Sequence, residues 1–211
     1  MTQQEGVVTQ KRIGVFGGAF DPPHQAHVAL AKAAVAQLAL DVLRIVPTGQ
    51  AWHKARTLSS AAHRLAMAKL AFADMPHVVI DERELRRAGP TFTIDTLKAL
   101  QVENQDAHLY LIMGADQFSA FRQWHQWQDI AAIAIICIAG RATSTVTQAQ
   151  FDAFGMLKSR FLQLELSPMT VSATQIRQLL ASGAGNTSEV TELVPGAVAR
   201  YISANRVYSI S

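Results

Sequence analysis

The stretch Ile13-Gly-Val-Phe-Gly-Gly-Ala-Phe-Asp-Pro-Pro-His-Gln-Ala-His27 decides how the rest of the chain is read. Ile13 to Phe16 is an apolar run that reads as a short buried strand. Gly17-Gly18 ends it with a turn that lets backbone come close to a ligand. Asp21-Pro22-Pro23 opens a new element, since proline fixes φ and suits the entrance to a helix. His24 and His27 stand three apart, a spacing that puts both imidazoles on one face of the first helical turns. Backbone N–H groups at a helix start attract anions and two imidazoles add donors, so the stretch reads as a phosphate site. The simpler readings are ordinary Gly-Gly punctuation and half a metal site. Zinc needs three or four ligands, no partner pair stands out, and Cys137 lies inside an apolar run.

Outward from this stretch the chain alternates strand and helix. Val28 to Leu40 is Ala-rich and helical, and Val42 to Val46 is a second strand closed by Pro47. A helix follows from the Ser59-Ser60 cap to about Ala73, with Met67, Leu70 and Ala71 at core spacing. His77 to Asp81, His108 to Met113 and Ile130 to Ala139 hold three further strands, the last an unbroken apolar run buried on both faces. Thr143 to Ala149 reads as a mobile polar segment, Gln150 to Lys158 as a helix, and Phe161 to Leu166 as a half-buried alternating strand. Ser172 and Gln175 have capping-box spacing, Gly183 ends that helix, and Leu193 to Ala204 is a final packing and interface helix begun by Pro195. Alternation of this kind predicts α/β architecture: a Rossmann-like doubly wound parallel sheet with a small C-terminal helical portion, and ligands beyond the carboxyl ends of the strands.

The 211 residues suit one domain over 12–211, with a helical part from about 168, after a disordered lead-in at 1–11. A net charge of +3 without a basic block fits a phosphate-bearing small molecule better than a nucleic acid. One cysteine excludes an internal disulfide and suits a reducing compartment. Met1 to Lys11 has no apolar signal core, and the run from Ile130 to Ala139 is too short to span a bilayer, so a cytoplasmic chain without a membrane partner is expected.

Gly18 to His27 resembles the signature of nucleotidyltransferases with a His-x-Gly-His motif, roughly Gly-x-Phe-Asp-Pro-x-His-x-Gly-His. Ala26 replaces the motif glycine, and Ala19 stands where threonine is common. Two later phrases extend the resemblance. Asp81 to Leu97, with Glu84-Leu85 and Pro90-Thr-Phe-Thr93, is similar to a segment of bacterial nicotinate-nucleotide adenylyltransferases. Val171-Ser-Ala-Thr-Gln-Ile-Arg177 resembles the superfamily's second signature. Gly114-Ala-Asp116 matches a Gly-x-Asp phrase, and His53-Lys54 matches part of a Pro-Pro-His-Lys loop, here Ala-Trp-His-Lys.

The resemblance implies adenylyl transfer from ATP to nicotinate mononucleotide, giving deamido-NAD and pyrophosphate in NAD biosynthesis. It places His27 on the α-phosphate and His24 and Arg177 on the β- and γ-phosphates. Gly17, Gly18, Ala19, Phe20, Asp116, Ser172 and Thr174 complete the ATP site. His53, Lys54, Phe92, Thr93 and Trp124 face the nicotinate nucleotide, with donors around Phe92 and Thr93 for its carboxylate and Trp124 stacked on its ring. Magnesium is expected as cofactor, bound mainly by nucleotide and water, with no metal ligands from the protein. Alternatives are another adenylyl- or cytidylyltransferase, such as a pantetheine-phosphate adenylyltransferase, or a nucleotide-sensing module without turnover. A homo-oligomer is compatible with the final helix.

Overall fold

Short apolar segments between glycine and proline breaks become six parallel strands in a computed structural model of the chain, which describes residues 10–49, 58–140, 160–167, 169–182 and 187–208. The strands are β1 Arg12–Gly18, β2 Val42–Pro47, β3 Val78–Ile80, β4 His108–Gly114, β5 Ala134–Gly140 and β6 Phe161–Glu165. Their order across the sheet is β3-β2-β1-β4-β5-β6, every neighbouring pair parallel. Parallel strands need crossover connections, and here helices supply them on both faces. These are α1 Gln25–Gln37, α2 Ala61–Ala71, α3 Arg83–Arg86, α4 Thr93–Glu103, α5 Ala115–Ser119 and α6 Trp127–Ile133. Three more follow the sheet: α7 Ala173–Ala181, α8 Thr187–Leu193 and α9 Gly196–Ala204. The doubly wound sheet and helical C-terminal portion expected from the sequence are both present.

Alternation along the strands sends side chains into two cores. Ile13 and Val15 of β1 pack with Leu97, Leu111, Phe121 and Ile130 on one face, while Phe16 joins Leu43, Met67, Ile112 and Ile176 on the other. Each fully buried Leu or Ile contributes roughly 2 kcal/mol of transfer free energy, so the two cores rather than surface ion pairs hold the layers together. At the exposed edge, the Gln37 side-chain amide accepts from Glu165 N–H at 2.9 Å and donates to its carbonyl at 2.8 Å, occupying main-chain groups of β6 that an edge strand leaves open.

Several boundaries differ from those read in the sequence. The run Ile130 to Ala139 is half helix: α6 takes it to Ile133, and β5 starts at Ala134. Both halves are buried, and an unbroken apolar run carries no periodicity to separate them. Leu193 ends α8 and does not open the final helix, whose N-cap is Pro195. The mixed-charge run from Asp81 to Arg87, which in isolation suggests a solvated face, buries Asp81 and Glu84. Asp81 accepts from Arg44 at 3.1 Å and from Arg83 at 2.8 Å, and Arg83 forks onto Glu103 at 3.1 and 3.0 Å, so the charges are internally neutralised. The segments Thr143–Ala149 and Gln150–Lys158, and Gly183, lie outside the described residues.

Candidate active site

Strand order reverses between β1 and β4, and in such sheets the connections leave that point in opposite directions and open a crevice. A cleft of about 950 Å³ lies there. Gly17, Gly18, Ala19, Phe20, His24, His27, Phe92, Thr93, Asp116, Trp124, Ser172, Thr174 and Arg177 all line it. Of the candidate site residues read in the sequence, His53 and Lys54 are not placed, because they lie outside the described residues.

At one end of the cleft the two histidines stack, ring centroids 3.7 Å apart. His24 is not in the first helical turn but is the N-cap of α1, with extended backbone, and His27 is the third helical residue. The His24 backbone N–H donates to His27 Nδ1 at 3.1 Å. A ring nitrogen that accepts carries no proton, so the neutral His27 presents Nε2–H as its donor. The Phe20 ring meets His27 edge-on at 5.1 Å and is itself fully buried. Phe20 holds φ +48, a left-handed conformation costing roughly 1–3 kcal/mol that packing against Phe16 and Phe72 offsets. Burial pushes the His24 imidazole down to about 4, against the opposing pull of Asp116, so it is neutral near pH 7. A methyl group on Gly17 would meet nothing within 4 Å, so the backbone there is open to the cleft.

Arg177 reaches this end from α7. Its Nη1 donates to the Asp21 carbonyl at 2.7 Å and Nη2 to Thr174 Oγ1 at 2.9 Å. Ser172 Oγ accepts from Gln175 N–H at 3.2 Å, so the Ser172 half of the capping box forms. Asp116 is the second residue of α5, and Gly114 is the N-cap. A Cβ on Gly114 would lie 2.7 Å from the Asp116 carboxylate, which therefore folds back over bare backbone.

The other end is built on the start of α4. Phe92 is its N-cap and offers no side-chain acceptor, so the first N–H groups of the helix keep their affinity for an anion. Thr93 follows as the first helical residue rather than as the cap. Trp124 packs edge-on against Phe121 at 5.6 Å, its ring held by the core while it borders the cleft. Trp127 packs on the same Phe121.

Sequence reading missed Thr48, Glu84 and His125, which also border the cleft. His125 lies over Phe92 with centroids 4.5 Å apart. Glu84 is buried and accepts from Thr96 Oγ1 at 2.8 Å; burial pushes its carboxyl up, and the Thr96 hydrogen bond works against that. A lone His beside a Trp, or one Glu inside a charged run, carries no local sign of facing a ligand. Among the described residues no three His, Cys, Asp or Glu side chains gather as a metal site.

The cytidylyltransferase-like family pattern matches residues 15–179, which include every residue named in this site. A relative from Albidiferax ferrireducens, named "probable nicotinate-nucleotide adenylyltransferase", is 55% identical over 198 residues, covering 94% of this chain and 98% of its own. The chain belongs to the nicotinate-nucleotide adenylyltransferases. A second family member, from Methylibium petroleiphilum, is 41% identical over 201 residues, 95% of this chain and 93% of its own. The fold agrees: the nicotinic acid mononucleotide adenylyltransferase of Plasmodium falciparum, solved in complex with NaAD, superposes with a TM-score of 0.76. It is 17% identical, with 94% of this chain and 98% of that one covered. In this adenylyltransferase-family chain, the paired histidines and the start of α4 line one cleft.

Proposed function

We infer that the enzyme transfers the adenylyl group of ATP to nicotinate mononucleotide, forming deamido-NAD and pyrophosphate in NAD biosynthesis. The observation that carries this reading is the meeting of a phosphate end (His24, His27, Arg177) and a carboxylate-and-ring end (Phe92, Thr93, Trp124) in one cleft. A 5′-phosphate oxygen of the mononucleotide attacks the α-phosphorus of ATP, and the bond to the bridging oxygen of pyrophosphate breaks with its electron pair. The nucleophile is already an anion, so no general base is needed. The protein's task is to hold the two phosphates in line and to neutralise charge that develops on the α-phosphoryl oxygens.

His27 supplies Nε2–H to those oxygens, in a tautomer set by its bond from His24 N–H. Neutral His24 and Arg177 hold the β- and γ-phosphates, with N–H groups of Gly18 and Ala19 and the Ser172-capped start of α7. Asp116 accepts from a ribose hydroxyl. Open N–H groups at α4 with Thr93 take the nicotinate carboxylate, Trp124 stacks on the pyridine ring, and His53 and Lys54 are assigned to the nucleotide from their match to the family's His-Lys phrase alone. Magnesium would be carried by the triphosphate and would supply neutralisation of phosphate charge there. As a hard cation that keeps most of its waters, it would need few ligands from the protein.

The compartment we propose is the cytoplasm, without nucleic acid or membrane as partner. Among the described residues no helix is long and apolar enough to cross a membrane. A homo-oligomer is a separate expectation, read by sedimentation as a mass above the 22.9 kDa of one chain. Pyrophosphate release with ATP and magnesium, offering nicotinate and nicotinamide mononucleotides side by side, tests the activity. We expect turnover with strong preference for the acid; turnover with neither, while phosphopantetheine is adenylylated, would assign the other acceptor.

A further inference from the structure

Asp21 follows the Gly17-Gly18 turn and is 1% exposed, yet no phosphate contact was assigned to it. Its carboxylate is taken up by partners from distant parts of the chain. Tyr208 donates its hydroxyl to Oδ1 at 2.7 Å, and Ser59 N–H donates to Oδ2 at 3.3 Å. Its backbone carbonyl accepts from Arg177 Nη1 at 2.7 Å. Tyr208 lies 187 residues along the chain from Asp21 and beyond the 15–179 span of the family pattern. It holds φ +75, a left-handed conformation that a tyrosine adopts when its surroundings require it. Burial and the Asp21 carboxylate push the phenol's pKa up, so the hydroxyl is a permanent donor.

We propose that Tyr208 is a positioning residue for adenylyl transfer: through its hydrogen bond to Asp21 it holds the loop whose carbonyl orients the Arg177 guanidinium at the phosphate end of the cleft. The proposal rests on the reading of Arg177 as a triphosphate ligand. Arg177 donates to the Asp21 carbonyl and to the exposed Thr174 hydroxyl. Of these only Asp21 belongs to the phosphate loop, so its placement fixes where the guanidinium stands relative to Gly18 and His24. A C-terminal turn thereby sets the geometry of a side chain from α7 against a loop from β1. Loosening it should weaken grip on the triphosphate and leave the pyridine end of the cleft alone.

The test is Tyr208→Phe in the full chain, which removes one oxygen and keeps the ring. We expect the KM for ATP to rise about five- to tenfold, with the KM for nicotinate mononucleotide within twofold. In an Arg177→Ala background the same substitution should change ATP affinity less than twofold, because the residue through which it acts is gone. Equal rises in both KM values, a fall in active fraction with both KM values unchanged, or full multiplicative loss in the Arg177→Ala background would each overturn the proposal. Calorimetric ATP affinity separates this outcome from the functional reading. A wild type that binds ATP but uses neither mononucleotide sinks the acceptor assignment, while the Tyr208 proposal still stands or falls on the ATP affinity of Y208F. If Y208F does not fold, wild-type protein labelled at tyrosine Cζ gives the readout, its three resonances assigned with Tyr110→Phe and Tyr201→Phe. Movement of the Tyr208 resonance on adding ATP supports the linkage, and a resonance that stays still overturns it.

Discussion

His24 titrates near 6.5 in an unfolded chain and near 4 in the folded one, where desolvation outweighs the pull of Asp116. Between those values the unfolded state binds the extra proton, so stability from this residue is intact above pH 6.5 and is lost as pH falls toward 4. At pH 4.5 the loss is about 2 kcal/mol. Urea unfolding of wild type and His24→Asn at pH 7 and pH 4.5 measures it: the wild type should lose about 2 kcal/mol more than the variant over that interval. Parallel losses would mean that His24 is not desolvated as the geometry shows. Cys137 presents the opposite case, a thiol pushed up to about 12 by burial inside β5, and so inert toward phosphate chemistry.

At the scale of elements, α7 carries Arg177 and starts at the Ser172 cap, so its first turn and the phosphate end are linked. Ser172→Ala should cost about 1 kcal/mol in thermal or urea unfolding. A silent substitution would place the start of α7 elsewhere in solution. Sequence reading found α7 because serine, glutamine and apolar spacing agree there. It placed β1, β2 and β4 for the same reason, since each apolar run is bounded by glycine, proline or charge. It failed at Ile130 to Ala139, where nothing local divides α6 from β5, and at α3, four residues whose burial of Glu84 depends on Thr96 of another helix. His24 was read inside α1 because the spacing of three holds equally for an N-cap and a third helical residue.

For the whole molecule, strand order supplies what the motifs lack. The reversal between β1 and β4 brings Gly17, Asp116, Thr93 and Arg177 to one cleft, although they lie on four segments spread over most of the chain. Motif phrases made these residues legible because each phrase has its own local chemistry: glycines at a turn, acid after a strand, threonine at a helix start. His125 and Thr48 were not legible, since their place at the cleft comes only from packing between segments. The long-range bond from Tyr208 to Asp21 was invisible for the same reason. On the proposed function, this assembled cleft stabilises charge at the α-phosphorus through His27, whose tautomer is fixed by its bond from His24 N–H. Steady-state kinetics of His27→Ala with ATP and nicotinate mononucleotide test it most directly. We expect a fall in kcat of about 100- to 1000-fold with both KM values changed only a few-fold. A variant that keeps kcat while its KM for ATP rises steeply would contradict it and leave His27 as a binding residue alone.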